Sequence, residues 1–124
     1  MEWQLMLELP DESELPDEFA YPSSFKGIID RGLTDLEPWQ ILGGELLRIR
    51  NSGLQDHYPD QRYIPFAARG DCDDVACWVC PDNRRVLIVH DFASPGREAR
   101  TEYPGLYGWF RQAIEDLIEF DELS

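Results

Sequence analysis

Cys77-Trp78-Val79-Cys80 has the C-x-x-C spacing of a redox pair, and Cys72 and His90 lie near enough in the chain to suggest a zinc set. Each chemistry makes a positional demand. A redox pair needs one thiol at a helix N-terminus, where the dipole lowers its pKa. Here the motif falls in a stretch that reads as a strand and runs into Pro81-Asp82-Asn83. Strand residues three apart point to opposite faces, so Cys77 and Cys80 should diverge. The same divergence splits the zinc set, and no second C-x-x-C or H-x-x-x-H completes it. A zinc deaminase would show H-x-E and then P-C-x-x-C; here cysteine precedes proline. We expect no metal and no cofactor, and three reduced thiols in a chain without an export signal.

His90-Asp91 offers an imidazole beside a carboxylate, but adjacent strand residues diverge, so the pair is no ready general base. No G-x-S-x-G elbow is present, and Gly43-Gly44 lacks a phosphate-loop pattern. The expectation is a protein that is not an enzyme. Asp71, Asp73 and Asp74 crowd Gly70. A calcium loop would add a glutamate at the end of a longer run, and a capped turn explains Asp beside Gly. A third reading is that these carboxylates flank a binding surface. Of the large rings Trp39, Tyr63, Trp78, Tyr103, Tyr107 and Trp109, most should be core and some should serve as exposed anchors.

Net charge sharpens the choice of partner. The chain carries −14, with a pI near 4.3. Such a surface repels nucleic-acid phosphates and anionic lipid and steers basic proteins toward it, though acidity also serves solubility alone. Seven carboxylates precede Lys26, the first base, and Glu115, Asp116, Glu119, Asp121 and Glu122 follow Arg111, the last. We expect a cytoplasmic protein with a protein partner and neither nucleic acid nor membrane.

These residues need elements to hold them. At 124 residues and 43% hydrophobic content, the chain fits one domain with a real core. Residues 1–18 read as an acidic segment ahead of a core of about 15–120. Phe25, Ile28 and Ile29 predict a helix from about Ser24 to Arg31, with a serine cap and Gly32 as stop. Pro38 to Leu42 reads as a short strand, and Glu45 to Asn51 as a helix-prone stretch, with Gly53 and Pro59 confining anything helical to the run between Glu45 and His57. Arg62 to Ala67 reads as a strand, edge or bulged because Pro65 cannot donate to a ladder. Val75 to Cys80 and Arg85 to His90 form a hairpin about Pro81-Asp82-Asn83, and Arg97 to Thr101 adds a further strand. Leu106, Trp109, Phe110, Ala113, Ile114, Leu117 and Ile118 keep helical spacing to the end. The order implies an α+β fold, an antiparallel-rich sheet with helices packed on it.

Tyr63-Ile64-Pro65-Phe66-Ala67, then Gly70-Asp71 and the Val75–Cys80 strand with Trp78, resembles the SUKH superfamily. Leu15-Pro16-Asp17 resembles its first-helix entry. His90-Asp91 ends a hydrophobic strand, and an aromatic helix from Tyr107 to Ile118 closes the domain, as in that family. It includes fungal cell-wall-synthesis regulators of the SMI/KNR type and many bacterial immunity proteins. The resemblance implies a SUKH-like α+β fold and a non-catalytic domain that neutralises a cognate toxin, such as a nuclease, by direct binding. The alternative is a regulatory or scaffolding protein-interaction domain. Scaffold resemblance names a class of activity and no target. The short first helix and Ala67-Ala68-Arg69 depart from the family's commoner pattern. Asp71, Asp73, Asp74, Trp78 and Asp91 are the partner-binding candidates.

Overall fold

The computed structural model describes residues 8–10 and 15–123; the rest of the acidic N-terminal segment lies outside the described residues. The fold is α+β. Six strands, β1 (Asp35–Leu36), β2 (Trp39–Ile41), β3 (Tyr63–Arg69), β4 (Asp74–Val79), β5 (Asp82–His90) and β6 (Ala99–Tyr103), form one antiparallel sheet in sequence order. Three helices accompany them among the described residues: α1 (Ser23–Asp30), α2 (Gly44–His57) and α3 (Leu106–Leu123).

Helix α1 begins after Pro22, with no side-chain cap, so the expected serine cap is absent. Its end is as the sequence suggests. Gly32 takes φ +72°, its N–H donates to Ile29, and the N–H of Leu33 donates to Ile28. That is a Schellman closure, which glycine adopts without a Cβ penalty. Helix α3 buries Leu106, Trp109 and Ala113, while Ile118 and Leu123 are exposed. Its apolar stripe therefore seats the first turns most deeply, Ile114 and Leu117 pack on the core partly buried, and Asp121, Glu122 and Leu123 in the last turn are exposed.

Strand β3 is bulged between Pro65 and Ala67, and it lies inside the sheet, between β2 and β4. β2 covers only its second half, Ala67 to Arg69. The β4–β5 hairpin turns at Cys80-Pro81, one residue earlier than the sequence suggests, because Asp82 already pairs with Val79. Asp82 then caps the turn through Oδ1, accepting from the N–H groups of Arg84 and Arg85.

The two faces differ. Trp78 stacks on Phe66, with ring centres 4.3 Å apart, and meets Phe19, Tyr21 and Phe25. Trp109 crosses Phe66 and Trp39 edge-on, so α1 and α3 share this aromatic face. Cys77, next to Trp78 on β4, must face the other way, and its neighbours there are Tyr63 and Asp91. Helix α2 packs on β3 on that second side, burying Leu47 and Leu54. No described helix is long and apolar enough to cross a membrane.

Candidate functional site

The site is built where β4 begins and β5 ends. Register sets Asp74 opposite His90, and His90 Nδ1 lies 3.0 Å from Asp74 Oδ1. One residue on, the Asp91 N–H donates to the Asp73 carbonyl, and the Asp91 side chain turns into the protein, 4% exposed. The last residue of α2 meets it there: His57 Nδ1 is 2.7 Å from Asp91 Oδ1. A carboxylate oxygen accepts, which assigns the proton to Nδ1. Arg50, two turns earlier on α2, brings Nη1 to 3.9 Å from Asp91 Oδ2. Both histidines of the chain are thus oriented through Nδ1 by an aspartate.

Asp91 also shapes the loop that runs from it to Glu98. Asp91 Oδ1 also accepts from the N–H of Phe92 at 3.0 Å. At the loop's far end Glu98 is buried; it accepts from the Tyr63 hydroxyl at 2.6 Å and the Gly96 N–H at 2.7 Å. Burial pulls the Glu98 carboxyl upward, but donation from Tyr63 and from backbone N–H groups outweighs it and holds the group below its usual range. Burial and that bond push the Tyr63 phenol well above its usual value. The Tyr58 hydroxyl donates to the Ala93 carbonyl at 2.8 Å and lies 3.2 Å from that of His90.

What this frame holds out is Phe92. The residue is 69% exposed and its backbone sits at φ +71°. The left-handed region costs an L-residue about 1–2 kcal/mol, most of all a bulky one. Such strain persists only where surrounding contacts over-determine it, and it gathers at functional sites. Here the over-determination is visible: bonds at Asp91, Phe92, Ala93, Gly96 and Glu98 fix the loop from both ends. The His57 ring, 4.7 Å from the Phe92 ring, supports it from beneath.

The sequence candidates divide. Asp74 and Asp91 come together with the two histidines, and Asp73 is exposed beside them. Asp71 is held instead by Arg69 in a two-pronged pair, Nε to Oδ1 at 2.8 Å and Nη2 to Oδ2 at 2.9 Å. That pair lowers the Asp71 pKa and fixes the turn; Arg69 also reaches Asp116, which accepts from the Trp39 indole. Trp78 is corrected outright as a presented ring: it is 0% exposed, because both faces of β4 are covered. Asp91 is likewise buried, so its role at the surface is to position Phe92 rather than to touch anything itself.

The chemistry open to these groups is narrow. Cys77 is buried, and burial pushes its thiol well above the usual range. The Tyr58 hydroxyl is already donated, and burial raises it further. Neither supplies a nucleophile to His57. Among the described residues no group of three or more His, Cys, Asp and Glu is placed to hold a metal. A cavity of about 470 Å³ lies on the far flank of α2, lined by Tyr21, Leu47, Arg48, Asn51, Arg62 and Tyr63 among others. It opens along the half of β3 that β2 leaves uncovered.

Sequence reasoning missed His57, Phe92 and Glu98. His57 marks the end of a helix, and its partner is 34 residues away. Phe92 carried one faint signal, a lone aromatic directly after a strand-ending aspartate and before a Ser-Pro-Gly turn. No family model matches the chain, nor does any curated protein or solved structure.

Proposed function

We propose that this domain binds a basic protein partner and neutralises it by covering its working surface, turning nothing over. Phe92 carries the reading. An aromatic ring held rigidly into solvent at a cost in backbone strain is what an interface anchor requires. The rest of the loop's bonding supports it, since it fixes the position of the ring from both ends. The −14 charge supplies the long-range attraction to a basic partner, and exposed Asp73 lies beside the anchor. A toxin domain met in the cytoplasm, a nuclease being one such basic target, is the partner class that the SUKH resemblance implies.

The test is growth protection in cells expressing each toxin-like domain found encoded beside this gene, with affinity measured on the purified pair; a neighbourhood that encodes none also removes the toxin reading. The intact chain should protect. Phe92→Ala should weaken binding about tenfold or more while leaving the fold intact. An intact chain that neither binds nor protects removes the toxin reading. Undiminished binding by Phe92→Ala removes the anchor.

A further inference from the structure

Phe92 does not stand alone. Leu46 and Ile49, on α2, are 60% and 59% exposed, although the helix buries Leu47 and Leu54 one step round. With Gly53 and His57 they follow a spacing of three, four and four residues, so they form one stripe along the helix. That stripe ends at His57, whose ring carries Phe92. Eleven steps of 1.5 Å, from Leu46 to His57, make it about 16 Å long.

Gly53 is the telling residue. It sits in the interior of a 14-residue helix, where glycine is the poorest ordinary choice. Among the described residues nothing asks for it: a Cβ there would meet only Asp91 Oδ2, at 3.7 Å, an ordinary contact. Its partly exposed position in the stripe leaves a notch between Ile49 and His57, the feature that lets another backbone come close. A helix face also offers no free N–H or C=O groups. An occupant must therefore satisfy its own backbone, as a helix does and an extended strand does not. Charge narrows it further. Arg50 is turned to Asp91 and Arg48 to the cavity on the opposite flank. Exposed Glu45 and Asp56 remain on the row that contains Ile49.

We infer that Leu46, Ile49, Gly53, His57 and Phe92 form one continuous docking surface, and that its occupant is a basic amphipathic helix of the partner protein. This rests on the partner-binding reading above and specifies how the partner is held. The occupant's apolar residues would pack along the α2 stripe, its backbone would approach at Gly53, and its basic flank would face Glu45 and Asp56.

The experiment places a photo-crosslinking phenylalanine analogue at position 49 and, separately, at position 92 of the full chain in its native host, and maps the joined peptides. Both positions should label the same protein. From position 49 the labelled residues should lie three or four apart on a segment of net positive charge that is helical in the purified complex. Label from 92 without label from 49 overturns the helix-docking surface and leaves the partner-binding reading standing. Label from neither overturns both. Label from 49 on a second copy of this chain, or on an extended or acidic segment, also overturns the inference. On the isolated complex, Ile49→Glu should reduce affinity at least tenfold while the melting temperature of the free domain moves by no more than about 2 °C, as suits an exposed site.

Discussion

On the side of the sheet that Trp78 faces, rings meet rings. Trp78, Phe19, Tyr21, Phe25, Phe66, Trp39 and Trp109 interlock at centroid distances of 4.3 to 5.9 Å. The indole N–H groups of Trp78 and Trp109 are buried there without a hydrogen-bond partner in the described structure. On the side that Cys77 faces, Asp91 and Glu98 are buried, and each is engaged by a side chain and a backbone N–H. The first side accepts two orphaned donors in exchange for apolar contact, so its contribution is stability. The second uses directional bonds to fix one loop in a strained shape, so its contribution is position. A substitution on the first side should therefore act on the whole domain, and one on the second should act on the loop.

The largest effect tests the first half of that contrast. Trp78→Ala empties the centre of the ring cluster and should cost about 3–5 kcal/mol, a large share of a typical domain's stability. Urea denaturation should show it as a fall in midpoint, or as failure to fold. A loss under about 1 kcal/mol would mean that the cluster collapses around the gap and is less specific than its geometry implies. Asp91→Ala comes next. It strands the His57 Nδ1–H and the Phe92 N–H and should cost about 1–3 kcal/mol. Hydrogen exchange should accelerate at residues 92–97 well beyond any change in β3 and β4. Uniform acceleration across the sheet would erase the distinction between the two sides.

How far the contrast was legible in the sequence depends on the period of each element. Helix α3 announces itself because seven apolar residues keep helical spacing over several turns. The burial of Trp78 is legible in the sequence: Val75 to Cys80 is an unbroken apolar run, the mark of a strand covered on both faces. β1, with two residues, is too short for any pattern. The site was hidden for a different reason. A hairpin continued regularly from the Val79–Asp82 pair would set Asp74 opposite Leu87, but the irregularity between Cys77 and Val79 moves His90 into that place. Each histidine then finds its carboxylate across the fold rather than next door, so His90-Asp91 in the sequence pointed to the right atoms and the wrong pairing. Register shifts of this kind depend on local twist and leave no residue signature here.

A smaller effect concerns acid. Glu98 titrates below its usual value in the folded protein, so the stability it contributes is fully present above the unfolded value near 4.5 and is lost as pH falls toward the folded one. Glu98→Gln should cost about 1 kcal/mol at neutral pH and flatten part of the decline between neutral and acid pH. Thermal melts at a series of pH values would read this. If the variant declines as steeply as the parent, Glu98 does not carry the loop's acid sensitivity.

The smallest expected change is the one that separates position from stability most cleanly. Gly53→Ala should stabilise α2, by up to about 1 kcal/mol, because alanine suits a helix interior and a Cβ has room. The same methyl group fills the notch that an approaching helix would use, so partner affinity should fall as the melting temperature rises. Stabilisation with unchanged affinity would confine the interface to the Phe92 loop. Destabilisation would mean that the fold itself needs the glycine, through the space beside Asp91, and the contrast between a side that stabilises and a side that positions would lose its sharpest marker.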